Sequence, residues 1–174
     1  MLTASPEVYD AVRGLRVIRR FQELPVSESD LDAILEAGRW TGSSKNRQSW
    51  VFVVITDRRQ IDRLATCGDF TTPLRTAPLV IAPVRLPDGY DWDMGRVSQN
   101  MMLAAAAIGV GSCPITLHRH DDARAVLGVP HDHGCQWVIA LGYPDEEAER
   151  QGRAKNPLSG RKPLGELVRL DRFS

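Results

Sequence analysis

Eight consecutive apolar residues, Met101 to Ile108, close a longer helical stretch that starts near Asp93 and ends at Gly109. A helix that is apolar on every side has to be surrounded by other elements. The spacing therefore predicts the longest helix over 93–108, with its part from Met101 to Ile108 buried all round, in a chain of 174 residues that suffices for one core. Three short apolar runs, Val51 to Ile55, Leu79 to Ala82 and Trp137 to Leu141, lack polar alternation and read as strands covered on both faces. Pro83 then has to sit at the end of its strand or on an edge.

Helical signals separate these runs. Val8, Val12 and Leu15 suggest a first helix over 6–14. Ser27 and Asp30 resemble a capping box before the stripe Leu31, Ile34, Leu35 and Gly38. A third helix is expected over 59–66 before Gly68, and another over 121–127, with Asp121 at its start and Gly128 at its end. From Pro144 to Lys155 the chain turns strongly polar and reads as a loop or an arm, with order signals returning in 157–174. One central sheet with intervening helices makes the class α+β or α/β.

Acidic and basic residues number 22 each, so the formal charge is zero. A neutral chain has no global field for a polyanion, which argues against nucleic-acid binding. No apolar run approaches the roughly 20 residues of a membrane helix. Residues 1–20 contain Glu7, Asp10 and four arginines without an apolar signal core, so no secretion is expected. Cys67, Cys113 and Cys135 are an odd set without CxxC spacing, which reads as a reduced, cytoplasmic protein without a disulfide framework or zinc site.

Arginine outnumbers lysine 19 to 3, and rigid guanidinium forks suit anion sites. Arg13, Arg16, Arg19 and Arg20 fall within eight residues; Arg16 and Arg19, three apart, could both face one anion, or the group could form a solvated face beside the first helix. The polar stretch Thr41 to Ser49, with Ser43, Ser44 and Asn46, joins a helix to a strand, where a ligand loop or an ordinary connection would fit. Gly109-Val110-Gly111-Ser112-Cys113-Pro114 is not a dinucleotide fingerprint, because a helix precedes it and Pro114 holds the third-glycine position. It reads as a loop whose backbone can approach a flat ligand. His118, His120, His131 and His133 are read as loop histidines, not metal ligands. Ser159-Gly160-Arg161-Lys162-Pro163 is a basic pair in a tail.

In order and spacing these segments together resemble the FMN-dependent nitroreductase family, over about Val8 to Leu170. The motifs are Arg16-Val17-Ile18-Arg19-Arg20-Phe21, Ser43-Ser44-Lys45-Asn46-Arg47-Gln48-Ser49-Trp50 and Gln99-Asn100-Met101-Met102-Leu103-Ala104. Gly109-Val110-Gly111-Ser112, Leu141-Gly142-Tyr143-Pro144 and Arg161-Lys162-Pro163-Leu164 follow. The resemblance implies an α+β fold of three layers, a central mostly antiparallel sheet flanked by helices, as a homodimer with FMN between subunits. One domain over 1–174 is implied, with 144–174 as a C-terminal arm.

It further implies that Arg16, Val17 and Arg19, with Arg161 and Lys162, lie at the FMN phosphate. Ser43, Ser44 and Asn46 match the loop that meets the flavin, often from the other subunit. Cys113, Pro114 and Ile115 match the stretch lining the ring, one of whose N–H groups would face flavin N5. NADH or NADPH would donate hydride and a small nitroaromatic or quinone would accept electrons. No side chain need act as general acid or base, so no catalytic residue is assigned, and no metal. The alternatives are a flavin-cleaving, dehalogenating or ene-type relative, or a flavin-binding or flavin-storing module without turnover. Leu15 and Val17 stand where many members carry arginine and serine, and Gly42 and Ser49 replace common prolines, which implies a more flexible loop.

Overall fold

A computed structural model describes residues 5–155 and 160–173. Four strands, β1 (Trp50–Ile55), β2 (Leu79–Arg85), β3 (Gly111–Thr116) and β4 (Trp137–Gly142), form one sheet of order β1-β2-β4-β3. Every neighbouring pair is antiparallel. The helices are α1 (Pro6–Gly14), α2 (Glu28–Arg39), α3 (Arg58–Ala65), α4 (Asp91–Ala107), α5 (His120–Leu127) and α6 (Glu146–Lys155).

The period-2 pleat of β2 divides the core. Leu79 and Ile81 face one side with Ile34 of α2 and Met94, Val97 and Met101 of α4. Val80, Ala82 and Val84 face the other, with Ile61 and Leu64 of α3 and Ala123 of α5. This makes three layers, α2/α4, sheet and α3/α5. Full burial of each such aliphatic side chain stabilises by roughly 1.5–3 kcal/mol. Gly38 lets α2 press onto α4, since a Cβ there would come within 2.3 Å of the Met101 methyl group.

The expected cap at Ser27 is present: its Oγ accepts the Asp30 N–H at 3.1 Å, while the Asp30 carboxylate takes the Tyr143 hydroxyl at 2.6 Å. Several expectations need correction. β1 is an edge strand, so Val51 and Val54 stay 47% and 39% exposed instead of covered on both faces. α4 buries Met101, Met102 and Ala105, but Ala106, Ala107 and Ile108 lie at the surface of the protomer. Pro83 lies within β2, neither at its end nor on a sheet edge. Its missing N–H points, like that of Arg85, toward the β4 side, where β4 pairs only with Leu79 to Ile81.

Two segments read as irregular are regular. The residues after Gly109 form β3, not a loop. Glu146–Lys155 is helical, started by Asp145, whose Oδ1 accepts the Ala148 N–H at 3.0 Å.

Candidate functional site

After α1 the segment Leu15–Phe21 passes the outer edge of β3 and reaches Pro144, just beyond the end of β4. The Ile18 N–H donates to the Ser112 carbonyl at 2.9 Å. Gly111 makes this approach possible: a Cβ there would stand 2.8 Å from that of Ile18. Further on, Phe21 bridges Pro144, and the Gln22 N–H donates to the Tyr143 carbonyl at 2.9 Å. Leu15, Val17 and Ile18 pack on the core, which leaves Arg16 and Arg19 exposed.

Neither Arg16 nor Arg19 has a carboxylate within ion-pair distance among the described residues. Arg16 spends its guanidinium on the carbonyls of Arg13 at 2.7 Å and Leu15 at 2.9 Å. A cleft of about 190 Å³ opens beside it, lined by Leu15, Arg16, Ile18, Val110, Gly111 and Ser112. The Ser112 hydroxyl is buried without a hydrogen-bond partner among the described residues. A phosphate monoester there would offer the Ser112 hydroxyl an acceptor and would compete with the Arg13 and Leu15 carbonyls for the Arg16 guanidinium.

Sequence reasoning missed one residue that organises this segment. Glu149 of α6 is buried, and its Oε1 accepts the N–H groups of both Arg19 and Arg20, the latter at 2.7 Å. The Asp145 N–H returns a bond to the Arg20 carbonyl at 3.1 Å. The spacing of Glu149 and Arg153, one helical turn, was the signal available in the sequence; the two approach to 3.5 Å.

Cys113 and Ile115 point into the core and Pro114 is exposed. Burial pushes the Cys113 thiol up to about 11; Arg19 opposes this shift and Glu149 adds to it. The expected donor from Cys113 to Ile115 needs correction. Because Ser112 turns its carbonyl outward to Ile18, alternation turns Cys113 and Ile115 toward β4, and Pro114 has no N–H. The N–H groups on the outer edge are those of Ser112 and Thr116.

Ser43, Ser44 and Asn46 lie elsewhere. Their loop leads into Trp50 at the start of β1, opposite Arg85, whereas Arg16 and Arg19 flank the opposite end of the far edge strand β3. Three strand spacings and about five residues of strand separate these corners, roughly 20 Å. Lys45, Asn46 and Gln48 hold φ of 54°, 52° and 52°, a left-handed backbone costing about 1 kcal/mol or more per non-glycine residue. The Ser43 Oγ closes the loop by accepting the Gln48 N–H at 2.9 Å.

Arg161 and Lys162 are exposed and make no hydrogen bond to Arg16 or Arg19 among the described residues; Ser159 of the same tail motif lies outside them. The histidines form no metal-binding group of three or more ligand residues among the described residues. His118 accepts the Asp69 N–H at 3.2 Å, and His133 pairs with Asp132 at 2.8 Å. Asp121 does not cap α5 but pairs with Arg124, and Arg119 holds the cap position. No helix among the described residues is long and apolar enough to cross a membrane.

An α2/α4–sheet–α3/α5 sandwich with an arginine-bearing segment beside β3 defines the class: a three-layer α+β protein with a small cleft at its sheet edge. The chain belongs to the nitroreductase family, whose sequence profile matches residues 12–67 and 72–143. A protein of Archaeoglobus fulgidus, whose name points to an NADH dehydrogenase/NAD(P)H nitroreductase, is 28% identical over 145 residues, 77% of this chain and 83% of its own. The NADPH-flavin oxidoreductase of Vibrio harveyi is 27% identical over 164 residues, 83% of this chain and 68% of its own. The crystal structure of nitroreductase A from Vibrio parahaemolyticus superposes with a TM-score of 0.83 at 24% identity, over 98% of this chain and 78% of that one.

Proposed function

We propose that the chain is an FMN-dependent oxidoreductase that takes electrons from NADH or NADPH and passes them to a small organic acceptor of the nitroaromatic or quinone type. The observation that carries this reading is the basic segment beside β3: among the described residues Arg16 and Arg19 have no carboxylate partner, and Arg16 lines a cleft with the Ser112 hydroxyl, which has no hydrogen-bond partner among them. Family membership and the name of the Vibrio harveyi relative support it. When bound, FMN would supply the hydride and electron chemistry.

The protein's part is binding and orientation. Arg16 and Arg19 neutralise the phosphate, joined by Arg161 and Lys162 of the tail. Val17 contributes packing at this end, not a donor. Pro114, between inward-facing Cys113 and Ile115, offers the flat surface on which a ring system can lie. Ser43, Ser44 and Asn46 offer polar atoms toward the same ligand.

The diagonal separation of the two corners supports a homodimer in which each site takes its arginines from one subunit and its serine–asparagine loop from the other. Apolar side chains are available for such an interface. Val8, Tyr9 and Val12 of α1 are all more than half exposed, as are Leu164, Leu167, Leu170 and Phe173 of the tail. The whole chain would act as one FMN-binding unit, with 144–174 as an arm begun by α6. Three buried thiols support a reducing, cytoplasmic setting.

The test is the visible spectrum of the purified protein before and after NADPH is added without oxygen. Flavin absorbance that bleaches supports the reductase, and a colourless protein that takes up no FMN refutes it. Leu15 and Val17, both engaged in core packing instead of phosphate binding, favour one second reading, a flavin-storing module. Bound flavin that NADPH and NADH leave unbleached would decide for that module.

A further inference from the structure

The loop Gly42–Gln48 is an exposed excursion between two buried residues, Thr41 and Ser49. Its left-handed residues Lys45, Asn46 and Gln48 have no glycine's freedom to relieve them. Such a backbone persists only where its surroundings fix it. At the far end the fixing contact is backbone: the Leu86 N–H donates to the Ser49 carbonyl at 3.0 Å. At the near end it comes from α4. The Asn100 Nδ2 donates to the Thr41 Oγ1 at 2.8 Å, and the Arg96 Nη1 donates to the Gly42 carbonyl at 2.7 Å.

These two side chains stand one helical turn apart on one face of α4, so they grip consecutive residues of the loop. Asp93, one turn earlier, holds the Arg96 guanidinium from behind, with Oδ1 3.5 Å from Nη1. Gly42 leaves the room this requires: a Cβ there would lie 3.3 Å from Arg96 Nη2. α4 is in turn fixed to α2 by the Gly38–Met101 approach and to β3 through the Gly109 turn. The grip is thus mounted on the rigid centre of the molecule.

We infer that Arg96 and Asn100 are positioning residues, which hold Thr41 and Gly42 so that Ser43, Ser44 and Asn46 meet the flavin in one fixed arrangement. The inference rests on the flavin reading above but concerns different residues, since neither Arg96 nor Asn100 belongs to the motifs assigned to the ligand. Both act on the loop that faces the ring system, not on the phosphate. Their loss should therefore weaken FMN and riboflavin alike, whereas loss of a phosphate arginine weakens FMN alone.

The experiment compares the parent with Arg96→Ala, Asn100→Ala and Arg96→Lys in the full chain. Hydrogen exchange is followed in flavin-free protein at the amides of Asn46, Arg47, Gln48 and Trp50, each hydrogen-bonded within the closed loop. FMN and riboflavin are then titrated by fluorescence. Both alanine variants should speed exchange at these amides about tenfold, with the sheet unchanged, and raise both dissociation constants about tenfold. Arg96→Lys, which keeps a donor, should recover most of the loss.

Unchanged loop exchange in both alanine variants would overturn the grip itself. Faster loop exchange with unaltered flavin affinities would overturn the positioning role. A parent that binds neither FMN nor riboflavin would overturn the flavin reading and the role derived from it, while the exchange result would still stand for the loop. Should Arg96→Ala fail to fold, Asn100→Ala decides alone.

Discussion

The carboxylate of Glu149 accepts the backbone N–H of Arg20 at 2.7 Å and, with the same oxygen, that of Arg19. One acid on α6 thereby fixes the backbone of two residues in the basic segment, 129 and 130 positions away in sequence. Removing the acceptor strands two partly buried donors, each at a cost of about 1–3 kcal/mol. Glu149→Leu should destabilise by about 2–4 kcal/mol, read as a lowered urea midpoint. Glu149→Gln retains an oxygen and should lose about 1 kcal/mol or less. A leucine variant as stable as the parent would show that these bonds carry no weight.

The phosphate assignment makes a sharper demand. Hydrogen bonds to charged groups contribute roughly 1.5–3 kcal/mol, so Arg16→Ala, Arg19→Ala and Arg161→Ala should each weaken FMN about 10- to 150-fold. Riboflavin, without the phosphate, should bind nearly as before. Fluorescence titration with both ligands checks this. Three variants that hold FMN as tightly as the parent would move the phosphate elsewhere.

The legible parts of this molecule were those with a local cause. The Ser27 cap, the Gly128 stop of α5 and the apolar runs of β1, β2 and β4 each announce themselves within a few residues. β3 does not: Gly111, Ser112 and Pro114 have poor strand propensity, and the strand exists because β4 and the Ile18 segment bracket it. α6 was hidden for a related reason. Its surface is polar, and it is held by local pairs such as Glu147–Arg150 and by the distant Glu149 contacts. For the proposed site, the arginine motif and the serine–asparagine loop stood out in the sequence as candidate ligand contacts. Their diagonal placement did not, because it depends on the order β1-β2-β4-β3, which no local pattern encodes.

Sedimentation tests the paired arrangement. The exposed apolar side chains of α1 and of the tail predict a homodimer burying upwards of about 2,000 Å² in total. A stable monomer at micromolar concentration with flavin bound would refute both the dimer and the shared site.

The histidines should be dispensable. Replacing His118, His120, His131 and His133 with asparagine should leave flavin content and turnover within a few-fold, since His118 and His133 already serve local bonds to Asp69 and Asp132. Activity that is lost on substitution and restored by added metal would reverse that conclusion.

Burial pushes the thiols of Cys113 and Cys135 up to about 11. Unfolded thiols ionise near about 8.5, so above that pH the unfolded chain releases protons that the folded chain keeps. Stability should fall from about pH 9 to pH 11, by up to about 1.4 kcal/mol per pH unit for each thiol, with no contribution below about pH 8. Urea midpoints across this range should decline less steeply in Cys135→Ala. An identical slope in that variant would remove Cys135 as a source.

The distance between the two corners of the sheet has a genetic meaning. If each site joins the arginine corner of one copy to the loop corner of another, defects at the two corners are not equivalent alleles of one lesion. A chain lacking Arg16 and Arg19 and a chain with a ruined Ser43–Asn46 loop would each be inactive alone. Mixed in equal amounts, they would assemble heterodimers in which one site inherits both defects and the other inherits none. About a quarter of all sites would then be whole, by the two-fold symmetry of such a pair. Two null chains would complement each other, as they could not if every site were built within a single subunit.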